Sequence, residues 1–339
     1  MKIILDGMGG DNAPEEIVKG AVAAAADIDD EICIVGDPDK IRSLLKKNKY
    51  KGNNISIEPA MDVITMHDSP VKAIRHKKDS SMVVGLNMVK DGQGDMFISA
   101  GNTGALIAGS LLILGRIRGI DRPALASVYP DFNGGEPGLL VDAGASSESK
   151  ARNLLEYGLM GSIYLDKVWG RENPRVGLVN LGEEESKGNS VTKDAYRMLS
   201  ASGLNFVGNV EGRDVPKGAC DVIVCDGFTG NVVLKLTEGL SMSIFKLVKK
   251  ALMGSLVTKI GGLLVKNSLS ELKDEFDYEE YGGAPVLGVN KPVIKMHGSS
   301  TAKAVESAII RALPYARENV VEIIKQELLA VEEYIEEEE

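Results

Sequence analysis

The sequence predicts an α/β fold with a layered, Rossmann-like sheet and helices on both faces. Short apolar runs alternate with helical patterns, and most runs are flanked by Gly, Asp or Asn. Such runs are typical of strands buried on both faces of a parallel sheet, and the alternation with helices is typical of α/β proteins. The runs are Ile3–Leu5, Ile32–Val35, Ile55–Ile57, Met96–Ser99, Leu139–Val141, Val176–Val179, Phe206–Val207 and Val222–Val224.

The chain has 339 residues and shows neither an internal repeat nor a low-complexity linker. We therefore expect one large α/β unit over residues 1–339, with room for two lobes that share a sheet. Two segments within it stand apart in composition. Residues 239–270 predict a lysine-rich amphipathic helical insertion, and residues 332–339 predict an acidic tail.

The formal net charge of −10 argues against a nucleic-acid partner, because neutralising phosphates requires a basic excess. The charge is distributed unevenly. Six of the eight residues 332–339 are Glu, a run that is typical of a solvated helix end. Gly239–Ser270 instead contains five Lys and no acidic residue, so this segment is basic within an acidic chain.

The three cysteines have no CxxC spacing, which favours a reducing compartment over a disulfide framework. At the amino terminus only Ile3–Leu5 is apolar before Asp6, so we expect no signal peptide. The longest weakly polar stretch, Gly104–Gly115, is too short to span a bilayer. Three His and three Cys at scattered positions predict no metal site. We therefore expect a cytoplasmic chain that is not integral to a membrane.

Six loops that follow strands combine glycine with small hydrogen-bonding side chains. In open α/β sheets ligands bind beyond the carboxyl ends of the strands, and glycine loops at helix N-termini offer N–H groups to anions. The alternative for any one loop is a tight turn with a helix cap. Together the loops predict an anion site whose ligand is phosphate. The candidate residues are Gly101, Asn102, Thr103, Gly104, Gly188, Ser299 and Ser300.

Nucleotide fingerprints are absent from these loops. Gly7-Met-Gly-Gly-Asp-Asn-Ala departs from GxGxxG because its third glycine comes too early. The loop from Gly182 to Gly188 has Lys-Gly where a Walker A loop needs Gly-Lys followed by Ser or Thr. A small phosphate-bearing ligand fits the sequence better than NAD or ATP, and we expect no cofactor.

Few residues could carry chemistry. Lys187 follows three Glu in a glycine-bounded loop and reads either as a cation for phosphate oxygens or as a surface lysine that balances local acid. His67 and His297 lie in loops where they could move a proton or donate to an oxyanion, or simply begin or cap a helix. The sequence lacks a GxSxG elbow, and Cys225 has no nearby His. Direct attack by a bound nucleophile is therefore favoured over an acyl-enzyme.

These loops resemble those of the bacterial phosphate acyltransferases of phospholipid synthesis, the acyl-carrier-protein:phosphate transacylases. The resemblance runs from Asp6-Gly-Met-Gly-Gly-Asp-Asn-Ala-Pro14 to His297-Gly-Ser-Ser300. It is most specific in Ser99-Ala-Gly-Asn-Thr-Gly-Ala105, in Phe206-Val-Gly-Asn-Val-Glu-Gly212 and in Cys225-Asp-Gly-Phe-Thr-Gly-Asn-Val-Val233, and Tyr281-Gly-Gly-Ala-Pro285 adds to it. One departure is Ser146, where the family pattern has Asn.

The resemblance implies a fold like that of phosphotransacetylases and isocitrate/isopropylmalate dehydrogenases, and a homodimer. It implies that inorganic phosphate attacks the fatty acyl thioester of acyl carrier protein, without an acyl-enzyme. The acyl phosphate formed then passes to a membrane glycerol-3-phosphate acyltransferase. The resemblance also suggests a role for each candidate. Lys187 binds phosphate, and Asn231 and His297 contact the oxyanion or the thioester. His67 protonates the leaving thiolate or orders its loop.

The basic segment contains one apolar helical face, formed by Leu256, Ile260, Leu263 and Leu264 with Val257, and Lys259 and Lys266 lie beside it. Such a face packs in a core or dimer interface, or lies on anionic lipid. Gly254, Gly261 and Gly262 favour a turn between two short helices at a tip. Together with the resemblance, this apolar and basic segment predicts that the protein attaches peripherally to the inner face of the cell membrane.

An acidic carrier protein needs a basic docking surface. The sequence offers two, Arg116 with Arg118 and Arg122, or Lys246 with Lys249 and Lys250. Three other functions remain as rivals. They are a short-chain phosphotransacetylase that uses coenzyme A, a decarboxylating dehydrogenase, and a non-catalytic membrane scaffold for lipid enzymes.

Overall fold

A computed structural model describes residues 1–269 and 282–328, and one mixed sheet runs through this part of the chain. Its eleven strands are β1 (Lys2–Asp6), β2 (Glu31–Gly36), β3 (Ile55–Pro59), β4 (Met96–Ser99), β5 (Ala124–Tyr129), β6 (Gly138–Val141), β7 (Val176–Asn180), β8 (Phe206–Glu211), β9 (Val222–Val224), β10 (Ala284–Leu287) and β11 (Val293–Lys295).

The helices cover both faces of this sheet. They are α1 (Glu15–Asp27), α2 (Pro38–Lys47), α3 (Pro70–His76), α4 (Ser81–Lys90), α5 (Thr103–Gly109), α6 (Ala151–Trp169), α7 (Ser190–Ala201), α8 (Gly227–Leu252), α9 (Leu256–Leu264) and α10 (Ala302–Arg317). A π-helical turn, Ser110–Leu114, continues α5. Residues 320–328 are helical as well.

The strand order is β3-β2-β1-β4-β11-β10-β5-β6-β9-β7-β8. Two parallel blocks, β3 to β11 and β6 to β8, flank the central strands β10 and β5. β10 is antiparallel to both of its neighbours, and β5 is antiparallel to β6. The two blocks therefore run in opposite directions.

The inner strands are buried on both faces, as their continuous apolar runs predict, whereas the edge strands β3 and β8 are only partly buried. On β1, Ile3 and Leu5 pack into one hydrophobic cluster with α1, α6 and α10, whereas Ile4 packs into a second cluster with α4 and α5. Successive side chains of a strand point to opposite faces, so an inner strand contributes to both layers of the core. The α/β fold class predicted from the sequence is confirmed.

All eight predicted strands are present, but the sheet is not wholly parallel as the sequence suggested. The sequence reading missed β5 and β10, the strands that reverse direction. β5 reads Ala-Leu-Ala-Ser-Val-Tyr, which lacks a continuous run of large apolar residues. β10 contains Pro285, a residue that argues against a central strand because it cannot donate to the ladder.

α8 and α9 project from the body of the molecule. Only Gly227 and Gly230 of the 26 residues of α8 are buried, and α9 buries none. α9 turns back on α8, where the Cα of Gly262 faces Leu252 so closely that a Cβ would lie 3.2 Å from the leucine Cβ. This hairpin carries the predicted insertion up to residue 269, while residue 270 and the predicted acidic tail, 332–339, lie outside the described residues. No helix in the described ranges is long and apolar enough to cross a membrane.

Candidate functional site

A cleft of about 610 Å³ lies where the loops after β4, β11, β6 and β9 meet. Its polar lining includes Thr103 from the first of these loops, His297 and Ser300 from the second, and residues 144–147 and Asn231 from the other two. Residues from the strand-end loops that the sequence singled out thus lie at one cleft, and their roles stay predictions.

The reversed central strands explain why loops from opposed blocks can meet. Lys295, the last residue of β11, pairs with Ala284, and Val141, the last residue of β6, pairs with Ala126. Val286 of β10 pairs with Leu125 of β5, so the end of β11 and the end of β6 are brought close together by the pairing of these two central strands. The carboxyl ends of both blocks consequently face each other across the centre of the sheet.

Buried aspartates at strand ends shape these loops. Asp6 accepts hydrogen bonds from the backbone N–H groups of Met8 and Gly9 and from the hydroxyls of Ser81 and Ser99. A carboxylate with several donors fixes the path of a loop, since each donor would otherwise stay unpaired in the interior. Much of the small-polar pattern in these loops therefore serves structure.

Asp142 plays the same part after β6. Its carboxylate accepts from the backbone N–H groups of Leu125, Gly144, Ala145 and Ser146 at 2.8–3.0 Å. Burial raises the pKa of this carboxyl, and the four N–H donors act against that rise. The backbone N–H of Ser146, the residue that departs from the family pattern, is thus already used in this turn.

The loop after β1 clamps the loop after β11. The Asp11 N–H donates to Gly298 O at 2.7 Å, and the Asn12 amide donates to Ser299 O at 2.9 Å. Glu16 accepts from the N–H of Ala302 at 2.7 Å and so satisfies one free donor at the start of α10. These contacts fix His297 and Ser300 at the wall of the cleft.

Asn231 and His297 differ in how their side chains are held. Asn231 lies against Gly144, whose φ of +130° suits glycine and leaves room for the asparagine. No hydrogen bond of the Asn231 amide is recorded within residues 1–269 and 282–328. The His297 Nδ1 lies 2.7 Å from the Ser299 hydroxyl. It also accepts a hydrogen bond from the Ser299 N–H at 3.3 Å.

Several predicted phosphate ligands have structural partners. The Asn102 amide donates to Thr65 O and Met66 O, and its oxygen caps α5 by accepting from Ala105 N–H. The Gly101 N–H donates to the Ser99 hydroxyl. Gly104 packs against Pro70, where a Cβ would lie 2.8 Å from the proline ring. Among the four residues 101–104, only Thr103 lines the cleft.

His67 is exposed and does not line the cleft. Its neighbour Asp68 accepts from the N–H and hydroxyl of Thr65 and pairs with Lys77 at 2.8 Å. The Lys77 ammonium and the Thr65 donors lower the pKa of Asp68 to about 2. The aspartate is thus committed to holding the loop 65–68, rather than to a pair with His67.

Lys187 and Gly188 lie on the loop after β7, outside the lining of the cleft. Lys187 is half exposed, and its ammonium lies 3.9 Å from Glu184. Gly188 has a φ of +90°, and a Cβ there would lie 2.1 Å from the Thr192 hydroxyl. The glycine is therefore needed by the turn into α7, while the role of Lys187 stays a prediction.

A model of the family described as "Fatty acid synthesis protein" matches residues 1–323. The chain belongs to this family. It is 52% identical over 326 residues to the phosphate acyltransferase of Alkaliphilus oremlandii, with 96% of this chain and 97% of the relative covered. It is 50% identical to that of Halothermothrix orenii, with 97% and 98% covered. The chain is therefore an enzyme of the acyltransferase class, in fatty acid and phospholipid synthesis.

Solved structures confirm the fold of this fatty acid synthesis protein. A phosphotransacetylase from Streptococcus pyogenes superposes with a TM-score of 0.66 at 20% identity, covering 94% of both chains. The EutD phosphotransacetylase from Staphylococcus aureus gives 0.61 at 18% identity, with 93% and 94% covered. At these identities the likeness shows the shared phosphotransacetylase fold, as the sequence predicted.

The cleft of this family member has residues that the sequence reading missed. Ser127 lies within β5 and Lys295 ends β11, and the sequence gives no sign that either residue lines the cleft. Lys235 and Glu238 line the cleft from α8 and pair at 2.8 Å. Their spacing of three makes them neighbours on one face of α8, which the sequence could have shown.

One wall of the cleft is apolar. It is formed by Leu125 and Val128 of β5, by Leu234 of α8 and by Met296, and Phe228 stands largely exposed at the rim. The strand-end loops contribute polar groups to the same lining. A cleft with such a mixed lining can hold an apolar chain next to a charged group.

Cys225 lies below this site as a free, buried thiol. Its Sγ donates to Asp142 O at 3.7 Å, and burial raises its pKa well above the ordinary value. A thiol with a raised pKa is a poor nucleophile, because the thiolate is the reactive form. In the part of the chain that is described, no cluster of His, Cys, Asp or Glu could hold a metal ion.

Two further cavities adjoin the cleft. One of about 580 Å³ shares Ala145, Ser146 and Ser147 with it. This cavity shares Arg116 and Asp121 with the next, of about 470 Å³. The outer cavity is bounded by a basic group composed of Arg116, Arg118, Lys150 and Arg152, and Arg122 lines the middle one.

Proposed function

We propose that this enzyme transfers a fatty acyl group from acyl carrier protein to inorganic phosphate and releases acyl phosphate. The observation that carries this proposal is the mixed lining of the cleft, which combines apolar side chains with polar loops from both blocks of the sheet. The names of the 50% identical relatives support the phosphate acyltransferase reaction. The chemistry needs no cofactor, because phosphate is itself the nucleophile.

The proposed reaction is a direct displacement. A phosphate oxygen forms a bond to the thioester carbon, the carbonyl oxygen gains negative charge, and the C–S bond breaks as the oxyanion collapses. The carrier thiolate leaves and takes up a proton. Holding phosphate beside the carbonyl supplies much of the rate, since positioning replaces an encounter in solution.

Asn231 and His297 are the proposed partners of the reacting carbonyl and thiol. Asn231 lines the cleft and can donate its amide to the developing oxyanion, a contact worth about 10²–10³ in rate in other acyl transfers. His297 lies at the same cleft, so we assign the proton for the thiolate to it. His67 does not line the cleft, so only its second proposed role, the ordering of the loop 65–68, is kept.

Phosphate binding is proposed for Thr103 and Ser300, which line the cleft, with Ser299 and Gly101 to Gly104 holding the surrounding backbone. Lys187 and Gly188 stay in the proposal as a second contact from the loop after β7. That loop neighbours β9, the strand that leads to Asn231. To reach a phosphate, Lys187 must exchange its contact with Glu184.

The basic cavity near Arg118 is the proposed dock for the acidic carrier protein. Adjoining cavities run from it to the cleft, so a prosthetic arm that enters there would reach the reacting groups. The alternative basic patch, Lys246 with Lys249 and Lys250 on α8, lies farther from the reacting groups. Lys246 is 15 residues along the helix from Asn231, about 22 Å at 1.5 Å per residue.

The exposed hairpin is proposed to contact lipid and a second copy of the chain. On α9, Leu256, Ile260, Leu263 and Leu264 are all largely exposed beside Lys259, which fits an anionic membrane surface. On α8, Leu236, Leu240, Ile244 and Leu247 form an exposed stripe at helical spacing, which fits a homodimer. If so, Leu240→Glu turns the dimer into a monomer in sedimentation; an unchanged sedimentation coefficient contradicts that interface.

The donor decides between this proposal and the short-chain rival. Palmitoyl-carrier protein and acetyl-coenzyme A are compared as donors, with phosphate as acceptor and acyl hydroxamate as the readout. We expect the carrier-bound fatty chain to be the better donor by at least about tenfold, because the apolar wall adds binding energy for each buried CH₂. A preference for acetyl-coenzyme A would support a phosphotransacetylase instead.

A further inference from the structure

Lys295 is a lysine buried in the wall of the cleft. It is the last residue of β11, where it pairs with Ser99 of β4 and Ala284 of β10, and it is only 7% exposed. Lysine is rarely buried so deeply unless its charge has a partner. Lys295 is among the residues that line the cleft.

The protein supplies Lys295 with little counter-charge. Its ammonium donates to Met296 O, and no ion pair between Lys295 and a carboxylate is recorded in residues 1–269 and 282–328. Asp6 is the leading negative charge that it senses, followed by Asp11. The Asp6 carboxylate is already engaged by four donors, two backbone N–H groups and two serine hydroxyls.

Two other groups of the cleft bear on this ammonium. Lys235 adds a like charge, although Glu238 pairs with it at 2.8 Å. His297 follows two residues later in the loop and shares its Nδ1 with Ser299. The balance leaves a buried cation beside an open cleft, and burial lowers the pKa of Lys295 to about 8. Such a group is stabilised most by an anion that enters the cleft.

Ser300 stands close by in sequence and lines the same cleft. It is 3% exposed, its N–H donates to His297 O at 3.2 Å, and no partner of its hydroxyl is recorded in the described part of the chain. A lysine ammonium and a serine hydroxyl offer donors of the kind that phosphoryl oxygens accept. Lys295 and Ser300 thus offer two donors to an anion that enters the cleft.

We propose that Lys295 is the principal cation that binds the phosphoryl dianion in this cleft, with Ser300 as a second donor. This rests on the proposed function, and it moves the main cationic contact from the exposed Lys187 to a buried residue. A dianion on Lys295 lies in the same cleft as the apolar side chains. The same contact holds the phosphoryl group of the product before release.

Phosphate binding without any acyl donor tests this assignment. Titration calorimetry compares the full-length protein with Lys295→Met and with the control Lys291→Met, which removes a lysine just before β11. We expect Lys295→Met to weaken phosphate binding at least thirtyfold and Lys291→Met to leave it unchanged. Wild-type affinity falls as pH rises through about 8, and the affinity of Lys295→Met shows no such fall.

A folded Lys295→Met protein that binds phosphate as tightly as wild type overturns the proposal. If that variant does not fold, competitive acetylation of wild type with mass spectrometry replaces it. Phosphate is then expected to slow acetylation of Lys295 but not of Lys291, and an equal rate with and without phosphate refutes the assignment. Because neither measurement uses an acyl thioester, a failure of the transacylase reaction leaves this result unaffected.

Discussion

The ammonium group of Lys295 costs the folded protein stability. Its pKa is lowered from 10.5 to about 8 by burial, so between those pH values the unfolded chain binds more protons than the folded chain. The free energy of unfolding from this group therefore rises as pH increases from about 8 to 10.5. Below pH 8 its full cost is present, up to roughly 3 kcal/mol.

Replacing this lysine is accordingly expected to stabilise the free protein. We predict that Lys295→Met raises the free energy of unfolding at pH 7, and that its advantage over wild type shrinks as pH approaches 10.5. Denaturant unfolding of both proteins at several pH values measures this difference. A Lys295→Met protein that is less stable than wild type at pH 7 would point to a structural role for the lysine.

Lys187 is the exposed cation that the sequence put forward. We predict that Lys187→Ala lowers kcat/KM for phosphate about tenfold, because one exposed charged contact is worth on the order of 1 kcal/mol. Lys193→Ala, on the neighbouring helix α7, is the matched control and should behave as wild type. Steady-state transacylase rates at varied phosphate measure both variants. Unchanged activity of a folded Lys187→Ala protein rejects the assignment.

Sequence reasoning found the polar residues of the cleft that lie in glycine loops, among them Thr103, Asn231, His297 and Ser300. It missed Lys295 as a ligand because that lysine ends a short apolar strand and reads as the solvated end of it. Sequence reasoning also could not decide whether Asn102 binds phosphate or caps a helix. The amide of Asn102 fits both a phosphate contact and the cap that the structure shows.

At the scale of single elements, the helical hairpin is the most exposed apolar part of the described chain. We predict that Ile260→Glu with Leu264→Glu releases the protein from anionic vesicles, since two charges on the apolar face of α9 oppose insertion. The measurement is vesicle sedimentation with phosphatidylglycerol-rich liposomes. Binding should also weaken with salt, because Lys259 and Lys266 lie beside that face.

The control for this prediction changes two exposed apolar residues elsewhere, Met61→Glu with Val207→Glu. Both side chains are exposed as well but belong to other parts of the surface. This control is expected to bind vesicles as wild type does. Equal release of both double variants would show a general charge effect, and retention of the α9 variant would remove α9 as the contact.

The sequence predicted elements with regular apolar periodicity and missed those without it. Residues of β6 and β9 appear as apolar runs, whereas the strands that reverse direction, β5 and β10, contain serine or proline. These two strands take their place from neighbours on both sides. Their positions depend on contacts distant in sequence, such as Val286 with Leu125, which a local pattern does not contain.

Across the whole molecule, the net charge of −10 hides the surfaces that would attract an acidic partner. We predict that Arg118→Glu with Arg122→Glu raises KM for the acyl carrier at least about tenfold and leaves KM for phosphate unchanged. The new glutamates repel an acidic carrier and slow its association, and added salt should reduce the difference between variant and wild type. Steady-state kinetics at low and moderate ionic strength measures this.

Lys249→Glu with Lys250→Glu serves as the comparison for the second basic patch. It changes the charge by the same amount on the exposed end of α8. With the carrier docked at the cavity near Arg118, this comparison variant keeps a wild-type KM for the carrier. The reverse pattern would place the carrier on the hairpin and away from the adjoining cavities.

The central claim is that phosphate attacks a carrier-bound acyl group in this cleft. The most direct measurement incubates the purified protein with palmitoyl-carrier protein and phosphate, follows the phosphorus by NMR, and records the intact mass of the protein. We predict an acyl phosphate signal that grows in step with free carrier thiol, with no acyl adduct on the enzyme. Release of carrier thiol without acyl phosphate, or a stable acyl adduct on Ser299 or another side chain, would contradict the account.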